Sequence, residues 1–208
     1  MFARGSWKWV YALPSAVVGL ALLAVSSLWG VLALAVSGFV LWFHRDPERT
    51  PPHEGVASPA DGKVSVIREE DGRVRVGVFM NVTDVHVNRA PLDGTVEAVS
   101  HRSGGHRPAF DKESHHNERV RIDCGEFEVV LIAGAFARRI HPYVEAGDEL
   151  ERGDRIGHIS FGSRADVLLP REYDRGDVVV EEGEKVAAGE TVLARRDGRR
   201  VEQPLRVE

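Results

Sequence analysis

A run of 35 residues without a single charge, from Trp9 to Phe43, is the feature that most constrains this 208-residue chain. A membrane-spanning helix needs roughly 20 apolar residues, so the run exceeds one span and falls short of two comfortable ones. Pro14 lies near its start, and Gly30 and two serines interrupt its middle. Two structures stay open, one long tilted helix or a tight hairpin of two short helices. Either one predicts a helical membrane anchor over residues 1–43.

A cleavable signal peptide is the alternative to an anchor. The apolar run is too long for the hydrophobic region of such a peptide, and no small-residue cleavage site closes it before His44. We therefore expect attachment to the cell membrane. Arg4 and Lys8 lie on one side of the run and Arg45 and Arg49 on the other, so flanking charge barely discriminates the orientation. We expect the rest of the chain on the cytoplasmic side.

The chain changes character after the anchor. Residues 44–55 contain three prolines, which forbid a continuous helix and predict a stiff linker. From Val56 onward, short runs of β-forming residues alternate with turn residues about every ten positions, which is typical of a mostly antiparallel β domain. We expect this β-rich domain to extend over residues 56–208. Its clearest strand candidates are residues 63–67, 73–80, 119–122, 127–133 and 166–170.

Two sequence patterns in the β domain occur twice. The segment SPADGKV (58–64) shares Pro-x-Asp-Gly-x-Val with APLDGTV (90–96), 32 positions later. The segment VEAGDELERGDRIG (144–157) aligns with VEEGEKVAAGETVL (180–193) at an offset of 36, with two glycines in register. Glycines at such spacing supply the positive φ of turns between short strands. The repeats predict a lipoyl-like barrel-sandwich β domain.

Charge and cysteine content exclude two classes of protein. Beyond residue 43 the chain carries 25 Lys and Arg against 32 Asp and Glu, a net charge of −7. An acidic body with no basic stripe argues against nucleic acid as a partner. The single cysteine, Cys124, excludes an internal disulfide framework and a cysteine-based zinc cluster.

His86 lies in a segment where polar and apolar residues alternate. Asp84, His86 and Asn88 would project from one face of a strand, with Val85 and Val87 on the other. The pattern fits a solvated sheet face. It also fits a histidine that transfers protons near neutral pH, and both interpretations stay open.

Residues 101–119 hold four of the nine histidines. His115, His116 and Glu118 suggest a metal site at first sight. Adjacent histidines on a loop rarely converge on one ion, and the His-Glu-x-x-His pattern of a zinc helix is missing from the sequence. We expect a polar loop there and no metal.

Gly162 and Ser163 allow a specific self-processing reaction. The Ser163 hydroxyl can attack the Gly162 carbonyl and convert the amide to an ester, and glycine permits the strained backbone this requires. Elimination of the ester and loss of ammonia would leave a pyruvoyl group, a carbonyl cofactor that can condense with a substrate amine. Gly-Ser alone is a common turn pair, so the surrounding motifs must decide.

The chain resembles the phosphatidylserine decarboxylase proenzymes of the short, archaeal-type subfamily. Five segments occur in the family's order, and the resemblance covers the chain from about residue 40. These segments are FHRDPER (43–49), SPADGKV (58–64), DVHVNRAPLDG (84–94), FDKES with NER (110–119), and residues 132–170.

The resemblance implies self-cleavage between Gly162 and Ser163. Residues 1–162 would become the β chain, residues 163–208 the α chain, and Ser163 the pyruvoyl group. Asp61 matches an aspartate that polarises a histidine during cleavage, and His86 matches a histidine used in decarboxylation. Longer relatives have a second histidine as the cleavage base where this chain has Arg89. Either His86 serves both steps, or another residue such as His141 supplies the base.

The resemblance also implies a substrate and partners. The substrate would be a membrane phospholipid with a serine head group, phosphatidylserine or archaetidylserine, converted to the ethanolamine lipid. Arg138 or Arg139 could hold its phosphate, because planar guanidinium suits that group, although ordinary surface charge explains the pair equally well. The α and β chains would stay together, and a homo-oligomer is compatible with the family.

Two other classes of protein compete with this hypothesis. A non-catalytic, membrane-tethered lipoyl-like adaptor would need the repeats and the anchor but would have no use for Asp61, His86 and Gly162-Ser163 together. A Ser163→Ala substitution separates the two, because only an enzyme would lose cleavage. A membrane-anchored metallopeptidase is weaker, since the metal-ligand spacing is missing.

Overall fold

The computed structural model describes residues 2–5, 8–104, 117–134, 140–159 and 163–196. A π-helical turn (Lys8–Ala12) leads into two α-helices, α1 (Leu13–Leu23) and α2 (Ser27–Phe43). Strands dominate the rest, which confirms the prediction of a mostly β chain with N-terminal helices. The strands are β1 (Val56–Ala57), β2 (Gly62–Glu70), β3 (Arg73–Met80), β4 (Val87–Arg89), β5 (Gly94–Thr95), β6 (Ala98–Arg102), β7 (Arg119–Asp123), β8 (Glu128–Ile132), β9 (Ile140–Pro142), β10 (Glu149–Leu150), β11 (Arg155–Ile159), β12 (Ser163–Leu168), β13 (Lys185–Val186) and β14 (Val192–Ala194).

The two helices form a hairpin, which decides between the two predicted anchors. A Cβ atom on Gly19 would lie 2.9 Å from the Leu34 side chain, and one on Gly30 would lie 2.5 Å from Leu23. Small residues at these positions therefore let the helices approach closely. Ser37 Oγ in α2 donates to the carbonyl of Ala12, the residue before α1, at 2.9 Å, which adds a hydrogen bond across the hairpin. Within the described part of the chain, neither helix is long and apolar enough to cross a bilayer alone.

A seven-stranded sheet forms the body, in the order β13-β2-β3-β12-β8-β7-β6. Strand β12 lies at its centre, and all six of its residues are buried. The inner face carries Val76 and Val78 from β3, Val129 and Leu131 from β8, and their neighbours in one continuous core. The predicted strand at 166–170 is wrong at both ends, because β12 begins at Ser163 and its ladder to β3 and β8 ends at Leu168.

The sequence repeats produce two equivalent strand pairs. Strand β13 pairs with β2 through Lys185 and Lys63, and β10 pairs with β5 through Glu149 and Thr95. Each pair follows a turn whose glycine has positive φ, +90° at Gly183 and +98° at its counterpart 36 positions earlier. These glycines donate to equivalent carbonyls at 2.7 and 2.8 Å. The repeat in the sequence therefore corresponds to a repeat in the structure.

Residues 44–55 contain no helix or named strand, yet they pack tightly onto the β domain. The Asp46 carboxylate, only 2% exposed, accepts from Arg89 at 3.0 Å and from Arg155 at 2.5 Å. Arg49 in turn binds Asp61 at 2.8 Å. Buried ion pairs of this kind hold one geometry, so the segment fixes how the hairpin leaves the β domain.

Candidate active site

Ser163 is the first residue of β12 and is fully buried. It stands in register with Met80, the last residue of β3, and its Oγ lies 3.9 Å from the Met80 sulfur. A thioether sulfur is a weak acceptor, so the hydroxyl is held without a strong competing hydrogen bond. The arrangement leaves Ser163 available for chemistry while protecting it from water.

His86 is buried as well, with 3% of its surface exposed. Its Nδ1 lies 3.0 Å from the Asp84 carbonyl, and because a carbonyl can only accept, Nδ1 carries the proton in the neutral ring. The free lone pair is therefore on Nε2, which has no hydrogen-bond partner among the described residues. Burial lowers the pKa of His86 to about 4, so the ring is neutral at pH 7 and the lone pair on Nε2 is unprotonated.

The backbone brings Ser163 and His86 into one region. The Ile159 amide donates to the His86 carbonyl at 3.2 Å, at the end of β11. Three residues join Ile159 to Ser163, which limits the separation of their Cα atoms to roughly 14 Å. The predicted cleavage site falls in this short connection, although Gly162 itself lies outside the described residues.

Asn88 is a site residue whose role the sequence did not indicate. It is fully buried, and its Nδ2 lies 3.7 Å from the same Met80 sulfur that contacts Ser163. Nδ2 also donates to the Pro59 carbonyl at 3.3 Å. Its Oδ1 has no partner among the described residues, which is costly for a buried amide oxygen. Because Asn88 and His86 are both buried, the alternative of a solvated sheet face is wrong.

Three more histidines surround this region. His158, 3% exposed, stacks on His141 with ring centroids 4.6 Å apart, and His44 lies 6.2 Å from it. His158 Nδ1 is 2.8 Å from the Tyr143 hydroxyl. Burial, reinforced by the neighbouring histidines, lowers the pKa of His158 to about 3. Among the described residues, no group of three metal-ligating side chains is placed to hold an ion.

The helical hairpin ends directly on this cluster. The ring of Phe43, the last residue of α2, lies 4.3 Å from the His86 ring and 5.1 Å from the His44 ring. Phe43 is 1% exposed, so it seals His86 from the solvent. Its position explains part of the desolvation that keeps His86 neutral.

Asp61 lies in a different environment from the one the resemblance implies. Its carboxylate accepts from Arg49 Nη2 at 2.8 and 3.0 Å and from the Ala188 amide at 2.7 Å. None of its contacts with described residues is to a histidine. Asp61 therefore fixes the turn at residues 58–61, and the Pro59 carbonyl of that turn receives the Asn88 side chain.

Arg89 is an ion-pair partner rather than a substitute base. Its guanidinium is buried and donates to Asp46, to the Pro47 carbonyl and to the Gly153 carbonyl. A group that is saturated in this way and stays protonated at neutral pH cannot take a proton from Ser163. The sequence left two bases open, and both stay predictions: His86 Nε2 has no hydrogen-bond partner among the described residues, and His141 stacks on the His158 ring.

Other predicted residues lie outside the described part of the chain, namely Arg138, Arg139, His115 and His116. The sequence placed Asn88 on the same face as His86 without a role, and it gave no indication of His44, His158 and Tyr143. A signal existed for His158, because it occurs five positions before Ser163 in the last strand preceding the cleavage site. His44 and Tyr143 approach the site only through the folding of distant segments.

The donor set fits a pyruvoyl group made from Ser163. A carbonyl formed there would be shielded from water and would share the Met80 sulfur contact with Asn88, whose Oδ1 has no hydrogen-bond partner among the described residues. His86, on the segment bonded to Ile159, is the imidazole in the same region. Such a site can take a hydroxyl proton, hold a polarised carbonyl and return a proton to carbon.

Comparison with known proteins agrees with this chemistry. The family model for phosphatidylserine decarboxylase matches residues 36–194. An archaetidylserine decarboxylase proenzyme from Halobacterium salinarum is 72% identical over 94% of this chain and 100% of its own length. A phosphatidylserine decarboxylase proenzyme from Streptomyces griseus is 47% identical over 93% of both chains, and an archaetidylserine decarboxylase proenzyme from Methanococcoides burtonii is 42% identical over 94% of this chain and 97% of its own. The chain therefore belongs to the phosphatidylserine decarboxylase family.

Proposed function

We propose that this chain decarboxylates a serine phospholipid through a pyruvoyl group formed at Ser163. As a family member it is a carboxy-lyase made as a proenzyme, and its pyruvoyl cofactor derives from a serine of the chain itself. The observation that supports Ser163 is its setting, fully buried at the start of β12 and a short connection away from the backbone bond to His86.

Cleavage begins when Ser163 Oγ attacks the Gly162 carbonyl carbon and His86 Nε2 takes the hydroxyl proton. The C–N bond breaks as the ester C–O bond forms, so the Ser163 nitrogen becomes an amine. Loss of the Ser163 α-proton then forms a Cα=Cβ double bond as the Cβ–Oγ bond breaks, which releases the Gly162 carboxylate as the end of the β chain, residues 1–162. The dehydroalanine that remains tautomerises to an imine. Water finally displaces the nitrogen as ammonia, which leaves a pyruvoyl group at the start of the α chain, residues 163–208.

The same residues serve the decarboxylation. The pyruvoyl group supplies a carbonyl that condenses with the substrate amine and accepts the electron pair released with carbon dioxide. His86 holds a proton on Nδ1 and can carry another on Nε2 to the substrate α-carbon. Asn88 Oδ1 can accept a hydrogen bond from a hydroxyl or water beside Ser163, and Asp61 acts as a positioning residue through the turn that Asn88 contacts.

The anchor fits a substrate that stays in a bilayer. Large apolar side chains on both helices face outward, among them Leu20 at 63% and Trp29 at 61% exposure. We assign residues 1–43 to membrane attachment, with the catalytic domain on the cytoplasmic side of the cell membrane. Because Phe43 contacts His86, the active site then lies at the bilayer surface, where a lipid head group can reach it.

The finer architecture is part of this proposal. We assign residues 56–208 to a lipoyl-like barrel-sandwich domain, supported by the two equivalent strand pairs and their matching glycine turns. Residues 44–55 connect it to the anchor. The proposed phosphate ligands remain Arg138 and Arg139, and the same head-group chemistry serves ester and ether lipids alike.

A radiochemical assay tests the function. Serine phospholipid labelled in its carboxyl group, dispersed in detergent, should release labelled carbon dioxide with the wild-type protein. The Ser163→Ala variant should release none, because neither cleavage nor pyruvoyl formation can occur. Ser100→Ala, an exposed strand serine, is the matched control and should keep full activity. Equal activity of the Ser163→Ala variant and the wild type would refute the proposal.

A further inference from the structure

The outer face of the seven-stranded sheet carries a row of basic residues that runs across the strands. The strand registers place seven residues side by side, one per strand, all on the same face. Five of the seven are basic, in a protein whose net charge is −5. In strand order the cationic row is Arg102, Arg119, Ile132, Arg164, Phe79, Lys63 and Lys185.

The row contains two pairs of like charges placed directly opposite each other. Arg102 faces Arg119, and Lys63 faces Lys185. Directly opposed like charges destabilise a strand pair, so a folded protein has no structural reason to align them. Arg102 and Arg119 also line an outer-face cleft of about 350 Å³, which has six arginines and only three acidic residues in its wall. Four of these arginines bond the three carboxylates, so the excess of positive charge in the cleft is at its Arg102 and Arg119 end. An anionic partner would complement that end.

The row lies at the end of the sheet that meets the anchor. It includes Arg164, which directly follows Ser163, and Phe79, which directly precedes Met80. The turn after β3 contacts the end of the hairpin, where Arg45 Nη2 donates to the Thr83 carbonyl at 2.6 Å. That turn exposes an apolar side chain, Val82, at 46%. The cations therefore share one edge of the molecule with the membrane anchor.

We propose that the cationic row is a docking surface for anionic lipid head groups, holding the active-site end of the β domain against the bilayer. The inference rests on the proposed function. The occupant follows from charge complementarity and from position, because only a membrane would approach this edge when the hairpin is inserted. Lys63 and Arg102 are its exposed contacts, and the apolar Val82 turn enters the same surface.

Vesicle kinetics test the proposal with the full-length, self-cleaved protein. The serine phospholipid is kept at a fixed proportion in phosphatidylcholine vesicles while phosphatidylglycerol replaces part of the phosphatidylcholine. The wild-type rate should rise with the anionic fraction, and high salt should abolish the rise. In a Lys63→Gln/Arg102→Gln variant, the increase in rate with anionic lipid should be at least about fivefold smaller than in the wild type. One surface cation already contributes about that factor to binding an anionic membrane.

Two controls separate this inference from the function itself. Arg171→Gln/Arg175→Gln removes two exposed cations beyond the opposite end of β12 and should keep the full gain. A short-chain serine phospholipid, soluble as a monomer, should be decarboxylated equally by all three proteins. Failure of every protein on the soluble lipid would refute the proposed function. An undiminished gain in the Lys63→Gln/Arg102→Gln variant, an equal loss in the control variant, or no gain in the wild type would overturn the docking surface.

Discussion

Ser163 and Arg164 are neighbours on β12 but point into opposite environments. On the inner face, buried polar atoms of His86 and Asn88 are left without partners among the described residues. On the outer face, Asp166 at 1% exposure accepts from Arg75 at 3.1 Å and from Arg164 at 2.7 and 3.0 Å.

The difference separates polar groups that stabilise the fold from polar groups that are available for a reaction. Hydrogen bonding from Arg75 lowers the pKa of Glu70 to about 2, so Glu70 is ionised at neutral pH and keeps its ion pair with Arg75. A saturated network stabilises one geometry, whereas an unsatisfied buried atom costs free energy and is kept where it is used. Two consecutive residues can thus serve different purposes: Ser163 belongs to the candidate active site, and Arg164 belongs to the ion network.

The largest effect is expected from His86→Gln. Removing the imidazole should slow self-cleavage by about 10²–10⁴-fold, the usual loss when a general base is deleted, with little change in folding. Cleavage is followed by electrophoresis after expression. His53→Gln, an exposed histidine, should cleave normally. Wild-type cleavage in the His86→Gln variant would assign the base to another histidine such as His141.

Asp166→Ala should instead disrupt the ion network on the outer face of the sheet. It removes the buried carboxylate that Arg75 and Arg164 share, although Arg75 keeps its bond to Glu70, and this should lower the free energy of unfolding by about 3–5 kcal/mol. Thermal unfolding is measured in the uncleavable Ser163→Ala background, so that a single chain unfolds. Glu69→Ala, at an exposed strand position, should change stability by less than about 0.5 kcal/mol. Equal effects of the two substitutions would contradict the ion network's role.

Acid should lower the free energy of unfolding through the protonation of His86. The pKa of His86 is about 4 in the folded protein, so the unfolded chain binds a proton first as the pH falls below about 6.5. Stability should therefore fall between those two pH values, by up to about 3 kcal/mol for this residue. Unfolding is measured across that range, and His86→Gln should flatten the curve. An identical pH dependence in both proteins would contradict the neutral, buried state of His86.

Asn88→Ala should have the smallest effect and a distinctive one. Loss of one hydrogen-bonding group beside Ser163 should slow cleavage about tenfold while changing stability by less than about 1 kcal/mol. Asn117 is the matched control, because it is equally buried but donates to the Ala133 carbonyl at 2.8 Å. Asn117→Ala should cost about 1–3 kcal/mol and leave the cleavage chemistry unchanged. The opposite pattern would make Asn88 structural.

Local pattern predicted much of the fold. The uncharged run and its central glycine allowed the hairpin, and the repeated glycines marked turns that the structure shows with positive φ. The pairing of Arg89 with Asp46 and of Asp61 with Arg49 could not be predicted, because the partners are brought together by folding. The role of Asp61 toward a histidine during cleavage stays a prediction of the resemblance, and its contact with Arg49 is an addition that only the folded structure shows.

The intact mass of the purified protein under denaturing conditions tests the central claim most directly. The account predicts two fragments divided after Gly162, with the smaller one lighter by one ammonia than its sequence. A folded sample that consists of a single uncleaved chain would contradict the formation of a pyruvoyl group at Ser163.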